Sequence, residues 1–261
     1  MTFTLDHFRL DGKVAIVTGA GARSNSIGEA YAKGLAAAGA SIVVADLDKA
    51  GAERVAQEVR DMGHAAIGVG VNITDPTSAA EMVQIAKSKF GGVDILVNNA
   101  ALMLEIERVK TIDLPLDAWN RVINVNLTGA LICSQAVVPM MRERGGGKIV
   151  NQVSGGAFPP TSVYGISKLG LVGLTTTLAR DLGPHKINVN AIAPGMTDSA
   201  AGMALTPEGS AFRNMLTSMC ALRAQGSTTD LVGALCLLCS SAGDWISGQV
   251  LHVDGGWILR P

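Results

Sequence analysis

An α/β fold built around a parallel sheet is what this sequence predicts, on three observations. Short β-branched runs alternate with longer alanine-rich segments of helical period, the order produced by strand–helix–strand crossovers. The runs "VAIVTG", "IVVAD" and "DILVNN" are almost continuously apolar until their carboxyl ends, as strands covered by helices on both faces must be. Polar residues then collect at those carboxyl ends, the edge at which an open α/β sheet binds its ligand.

From the N-terminus, strands are expected at "KVAIVTG" from Lys13, "SIVVAD" from Ser41, "AAIGVGVN" from Ala65, "VDILVNN" from Val93, "KIVNQVS" from Lys148, "KINVNAIA" from Lys186 and "QVLHVDG" from Gln249. Helices occupy the intervals. Asp75 followed by Pro76 reads as the N-cap and first position of the helix through "TSAAEMVQIAKSKF", which Gly91–Gly92 ends. The long irregular region runs from about Met196 to Ser227, and its length suggests a lid over a site. With no internal repeat, low-complexity tract or interdomain linker in 261 residues, the chain reads as one domain, residues 1–261, with that lid at about 196–227.

Hydrophobic residues make up 48% and charged residues 16%, with a net charge of −1 and a pI near 6.4. That balance carries no footprint for nucleic acid. Gly, Asp or Lys interrupts the apolar runs before they could span a bilayer, and "MTFTLDHFRLDGK" has acids where a signal peptide needs a basic then apolar run. Neither membrane nor export is expected. Cys133, Cys220, Cys236 and Cys239 are too few for a disulfide framework and fit a reducing cytoplasm. "CLLC" lies inside the apolar run "LVGALCLLC" and reads as packing. His7, His64, His185 and His252 are scattered without ligand spacing, so no metal is expected.

Two stretches carry chemistry. "TGAGARSNSIGEA", residues 18–30, is a glycine-bearing turn leading into a helix; glycines permit close backbone approach, and unpaired N–H groups at a helix start attract phosphate oxygens. A structural turn would look similar, but Asp46 ends the next strand 18 residues beyond Gly28, where a carboxylate can bond the ribose hydroxyls of a dinucleotide. That carboxylate would repel a 2′-phosphate, so NAD is favoured over NADP, while Arg23 within the turn softens the preference. The second stretch is "VYGISK". Tyr164 and Lys168 stand four apart and share a helix face, so a cation beside a phenol would lower its pKa and suit it to acid–base work. Without further support, an ordinary amphipathic helix is the better explanation of the pair.

The ordered set "GKVAIVTGA", the glycine turn, "NNAA" at 98–101, "INVNLTG" at 123–129, "VYGISK", "IAPGMTDS" and "VDGG" resembles the classical short-chain dehydrogenase/reductase family over nearly the full chain. The resemblance implies a Rossmann-type doubly wound sheet of strand order 3-2-1-4-5-6-7 with a nicotinamide cofactor across it. It implies that Gly19, Ser26, Ile27 and Gly28 approach the phosphates, Asp46 the ribose, Asn72 and Ile73 the adenine, and Asn98 and Ala100 the neighbouring loop. Pro194, Gly195, Thr197 and Ser199 match the segment that holds the nicotinamide carboxamide and phosphates. Asn126, Ser154, Tyr164 and Lys168 match the catalytic tetrad: Tyr164 as proton carrier, Lys168 as the cation that also bonds the nicotinamide ribose, Ser154 on the substrate oxygen, and Asn126 holding a water beside the lysine. Asn124 and Asn151 are expected to be structural. A homo-oligomer, commonly a tetramer, is also implied, with interfaces at the helices near 115–144 and 163–183 and at the last strand.

The chain departs from the family pattern twice. The glycine turn is three residues longer, with Ser26 in place of the middle glycine, so Arg23 to Asn25 would bulge toward solvent or shape the adenine side. Ser154 precedes Tyr164 by only ten residues, so "GGAFPPTSV" must be tight, with Pro159 and Pro160 fixing its backbone. Met203, Leu205, Phe212, Met215, Leu216 and Met219 form an apolar stripe in the proposed lid, explained by core packing or by substrate contact. Leu102, Met103 and Phe158 fall near the same mouth. The substrate expected is a small, largely apolar secondary alcohol or its ketone, cyclic ones included. A 3-oxoacyl thioester reductase, a dihydrodiol dehydrogenase and a non-catalytic dinucleotide sensor are the rival readings.

Overall fold

The computed structural model describes residue 2, residues 4–103 and residues 109–259. Seven strands form one sheet: β1 (Val14–Thr18), β2 (Ser41–Asp46), β3 (Ala66–Gly70), β4 (Ile95–Asn98), β5 (Gly147–Gln152), β6 (Ile187–Pro194) and β7 (Val250–Val253). All neighbours pair in parallel, in the order β3-β2-β1-β4-β5-β6-β7. Each strand lies on the run that predicted it, β5 starting one residue earlier at Gly147 and β6 ending one residue later at Pro194. The helices are α1 (Ile27–Ala37), α2 (Lys49–Asp61), α3 (Pro76–Phe90), α4 (Leu116–Ile123), α5 (Gly129–Glu143), α6 (Val163–Leu182), α7 (Ala200–Leu205), α8 (Ala211–Met219) and α9 (Val232–Cys239).

Burial follows the alternation of the central strands. Ala15, Val17, Ile42 and Val44 face one side and pack with Leu35 of α1, Val55 of α2 and Leu235 of α9. Val14, Ile16 and Val43 face the other and pack with Met82 of α3, Val137 of α5 and Leu182 of α6. Side chains must be apolar on both faces, and burying each large aliphatic one is worth about 1.5–3 kcal/mol. Cys239 lies in the first of these clusters and burial pushes its thiol well above the ordinary range, so the "CLLC" pair serves the core.

Local signals set the helix ends. Asp75 accepts a hydrogen bond from the Thr77 N–H ahead of Pro76, and Gly91, at φ 86°, closes α3. The region 196–227 departs from expectation: it contains α7 and α8. Ser199 and Ser210 cap them, accepting from the Gly202 and Arg213 N–H groups. Thr197 and Gly226 form an isolated parallel bridge that brings the two ends of the segment together.

Where β1 and β4 begin, Asp94 is 7% exposed and takes hydrogen bonds from the Val14 N–H at 2.9 Å and from Nε and Nη2 of Arg144, each at 2.9 Å. Removing the carboxylate orphans a buried strand N–H and unpairs the guanidinium. Asp94→Ala is therefore expected to lose about 2–4 kcal/mol of stability in urea denaturation, and Asp94→Asn less; an unchanged midpoint for the alanine variant would contradict this account.

Candidate active site

The site begins where β1 and β4 end. The Thr18 hydroxyl donates to the Val97 carbonyl at 3.2 Å and accepts from the Asn99 and Ala100 N–H groups at 3.1 and 3.2 Å. Asn99 Nδ2 reaches back to the carbonyls of Thr18 and Gly19, both at 2.9 Å. Gly19 follows at φ 66°, a left-handed conformation that glycine adopts without strain. A Cβ there would lie 2.5 Å from Ala100 Cα, and one on Gly28 would lie 2.6 Å from Asn99 Nδ2 and from the Gly19 carbonyl oxygen. Turn, helix start and β4 loop thus pack backbone to backbone, leaving the α1 N-terminus facing the carboxyl edge of the sheet.

A cavity of about 870 Å³ runs along that edge, walled by Gly19, Ser26, Ile27, Gly28, Asp46, Asn72, Ile73 and Ala100 on the β1–β3 side. Beyond β4 its wall includes Ser154, Tyr164, Pro194, Gly195, Thr197 and Ser199. Three expected residues lie behind the wall. Asn98 is 4% exposed and its Nδ2 donates to Asn151 Oδ1 at 2.9 Å, with longer bonds to Ser134 Oγ and the Ala130 carbonyl. Alternation explains this: Leu96 faces the α5 side of the sheet, so Asn98 does too. The asparagine of this loop that lines the cavity is Asn99, to which the sequence analysis assigns no role.

Ser26 caps α1, its Oγ accepting from the Glu29 N–H at 3.0 Å. Asp46 is 7% exposed. Its Oδ2 accepts from the Gly21 and Ala22 N–H groups at 2.8 and 3.1 Å and its Oδ1 from Asp48 N–H at 3.0 Å. The carboxylate holds the glycine turn as well as facing the cavity; three of its about four acceptor positions are taken by these N–H groups. Asn72 Oδ1 accepts from the N–H and hydroxyl of Thr74. Of the three extra turn residues, Arg23 is on the cavity wall. Asn25 does not bulge freely: its Nδ2 donates to the Asp198 carbonyl at 2.8 Å and its own carbonyl accepts from Ala200 N–H at 3.0 Å.

On the other side, Ser162 caps α6 through the Gly165 N–H, which places Tyr164 and Lys168 in its first turns. Lys168 Nζ lies 5.5 Å from the centroid of the Tyr164 ring and donates to the Gln152 carbonyl at 2.7 Å. The lysine is 1% exposed, and burial pulls its pKa down to about 7. Asn126 sits in a π turn, Asn124–Thr128, between α4 and α5. Its side chain is taken up: Nδ2 donates to the Leu102 carbonyl and Ser167 Oγ, both at 3.0 Å, and Oδ1 accepts from Leu102 N–H at 2.8 Å. The amide therefore fixes the loop after β4 at Leu102 and ties it to Ser167.

The Ser154–Tyr164 connection is tight, as its length requires. Ser154 Oγ accepts from Gly156 N–H at 3.1 Å, and Gly155 N–H donates to the Pro194 carbonyl. The Phe158–Pro159 peptide is cis, and Ala157 bridges Pro160. Leu205, Phe212, Met215, Leu216 and Met219 line the cavity together with Leu102, Met103 and Phe158; Met203 does not. Trp257 and Ile258, just after "VDGG", complete the wall, held there because Asp254 accepts from the Gly256, Trp257 and Ile258 N–H groups. Among the described residues no group of acidic, histidine and cysteine side chains has metal-binding spacing.

Residues 21–258 match the family model described as enoyl-(acyl carrier protein) reductase. An uncharacterized oxidoreductase of Mycobacterium tuberculosis is 45% identical over 250 residues, covering 96% of this chain and 99% of that protein. A solved 7α-hydroxysteroid dehydrogenase, complexed with NADH and 7-oxo glycochenodeoxycholic acid, superposes with a TM-score of 0.90 at 36% identity, covering 99% of each chain. A gluconate 5-dehydrogenase from Burkholderia cenocepacia, complexed with NADP and tartrate, gives 0.89 at 35% identity, covering 97% of this chain and 98% of that one. The chain belongs to the short-chain dehydrogenase/reductase family, oxidoreductases that bind nicotinamide dinucleotides.

The buried lysine sets a pH response. Its folded pKa, about 7, lies below the ordinary 10.5, so between those values the unfolded chain carries a proton that the folded protein has released, and stability climbs as pH rises through that window. In urea denaturation without cofactor, the wild type is expected to gain about 2 kcal/mol more than Lys168→Met between pH 7 and pH 9. Equal gains in the two proteins would sink the assignment.

Proposed function

We propose that this protein is an NAD-dependent oxidoreductase interconverting a small, largely apolar secondary alcohol, cyclic ones included, and its ketone. One observation carries the reading: Ser154 and Tyr164 place two of the hydroxyls on a cavity wall that Phe158, Phe212, Met215, Leu216 and Met219 make apolar, with the Lys168 ammonium beside the Tyr164 ring.

The residues fit a dinucleotide. Gly19 and Gly28 let the turn, the α1 start and the β4 loop pack with no side chain between them, and the α1 start on the cavity wall offers N–H groups and a positive dipole end for a pyrophosphate. When bound, the nicotinamide accepts or donates the hydride. In the oxidation direction, Ser154 donates its O–H to the substrate oxygen and fixes its approach. The Tyr164 oxygen takes the alcohol proton, and in reduction returns it. Lys168 stabilises the phenolate form of the tyrosine, and the same charge favours a hydrogen bond to the nicotinamide ribose. Asp46 supports NAD, since its carboxylate lies on the wall where a 2′-phosphate would come. Arg23 on that wall favours the opposite choice and, with the acyl-carrier description of the family model, keeps a 3-oxoacyl thioester reductase as the second reading.

In this reading the chain is one dinucleotide-binding domain and residues 196–227, with α7 and α8, are its substrate lid. A homotetramer is proposed on the continuous helical stretch Leu116–Glu143, whose most apolar window is only 39% buried within the subunit, and on the half-exposed Leu169 of α6. Free thiols at all four cysteines suit a cytoplasmic setting.

Two experiments test this. Tyr164→Phe is expected to lower turnover about 10²–10⁴-fold with an unchanged Kd for the dinucleotide; undiminished turnover refutes the role. Initial rates with NAD and NADP in parallel, against cyclic, linear and aromatic secondary alcohols, are expected to favour NAD and the apolar cyclic substrates. Preference for charged hydroxy acids would remove the substrate reading. Activity confined to NADP, best as reduction of acyl thioesters, would replace it with the second.

A further inference from the structure

The three extra residues of the glycine turn have a structural partner that phosphate binding does not account for. Asn25, at φ 51°, sits in the left-handed region that asparagine tolerates better than most residues. From there it makes three contacts with the base of the 196–227 segment. Its Nδ2 donates to the Asp198 carbonyl at 2.8 Å, its backbone carbonyl accepts from Ala200 N–H at 3.0 Å, and its Oδ1 accepts from Thr228 Oγ1 at 3.4 Å.

That base is itself stitched together. Gly226 N–H donates to the Met196 carbonyl and Asp198 N–H to the Gly226 carbonyl, Thr228 N–H donates to Asp198 Oδ1 at 2.9 Å, and Gln225 Nε2 donates to the Thr197 carbonyl at 2.7 Å. The two ends of the segment are thereby one unit, with Asp198 at its centre. On either side of Asp198, Thr197 and Ser199 are buried on the cavity wall and bonded to each other at 3.1 Å. Ser199 also caps α7. A shift in the glycine turn is therefore felt at Asp198, and through it by both cavity-wall hydroxyls and by the start of α7.

We infer that Asn25 is a positioning residue that ties the phosphate-binding turn to the lid, so that binding of the dinucleotide orders residues 196–227 before substrate enters. The inference rests on the lid reading above and on dinucleotide binding by the family. It assigns to the lengthened turn a task in substrate affinity, distinct from contact with the cofactor.

The test is amide hydrogen exchange of the full-length protein with and without saturating dinucleotide, NADH or NADPH, whichever titrates by fluorescence. In the wild type, the dinucleotide is expected to slow exchange both in residues 18–30 and in 196–227. In Asn25→Gly, which keeps the left-handed backbone and removes the side chain, slowing at 18–30 should persist with a dinucleotide Kd within about twofold, while slowing at 196–227 falls by about two- to tenfold, the worth of one hydrogen bond. Asn25→Asp, equal in size but unable to donate to the Asp198 carbonyl, should behave like the glycine variant; circular dichroism and Tm establish that both fold. KM for the alcohol should rise with kcat less affected. Cofactor slowing at 196–227 that is equal in wild type and both variants overturns the inference, as does a wild type slowed at 18–30 alone. A wild type that binds neither dinucleotide overturns the cofactor reading as well, which separates the two failures.

Discussion

The seam between β1 and β4 is the constraint on which the site depends. A parallel sheet covered on both faces has no room for polar side chains except at strand ends, and at this seam successive crossovers leave in opposite directions, opening a crevice. Thr18 closes the bottom of that crevice with three hydrogen bonds to Val97, Asn99 and Ala100. The fit is close enough that neither Gly19 nor Gly28 can carry a Cβ without meeting backbone or amide atoms. Asp46 then holds the turn from the β2 side through Gly21 and Ala22. Anion-binding geometry at the start of α1 is thus a consequence of how three strand ends are joined.

The opposite end of the cavity depends on burying a charge. Lys168 is buried with the Gln152 carbonyl as its hydrogen-bond partner, so keeping it charged carries a desolvation cost that an anionic neighbour offsets. Such a neighbour is what a tyrosine phenolate at the adjoining ring would be. The surrounding amides keep this arrangement in register. Asn126 clamps Leu102 to Ser167 across the π turn, and Asn98, Asn151 and Thr175 lock β4 and β5 to α6. Asn98, Asn126 and Asn151 are structural fasteners behind the wall that carries Ser154 and Tyr164.

Much of this was legible because it is local or periodic. All seven strands could be placed, since burial on both faces leaves uninterrupted apolar runs, and the ends of α3 follow from Asp75, Pro76 and Gly91. What escaped is set by contacts between distant segments. Asn98 and Asn99 are neighbours in sequence, and only the strand alternation carried past Val97 tells which of them reaches the cavity. The helices α7 and α8 are short, six and nine residues, and Pro207 and Gly209 between them resemble loop composition. Asn25 meets a residue 173 positions away, and Trp257 reaches the cavity because Asp254 folds the turn behind it; no periodicity announces either.

The apolar stripe of α8 shows how the structure separates two readings that the sequence left open. Had it served the core, its members would be buried; none is. Phe212, Met215 and Met219 are 52%, 49% and 54% exposed and yet line the cavity. Half-exposed side chains at helical spacing, turned toward a cavity and left uncovered by the subunit, gain their burial only when something apolar lies against them. Methionine suits that task, since an unbranched, polarizable side chain adapts to the shape it meets. At the β1–β3 end of the cavity, Asp46, Asn72 and Arg23 offer charge and hydrogen bonds instead. The two ends of one cavity therefore differ in chemistry, one polar and charged and the other apolar.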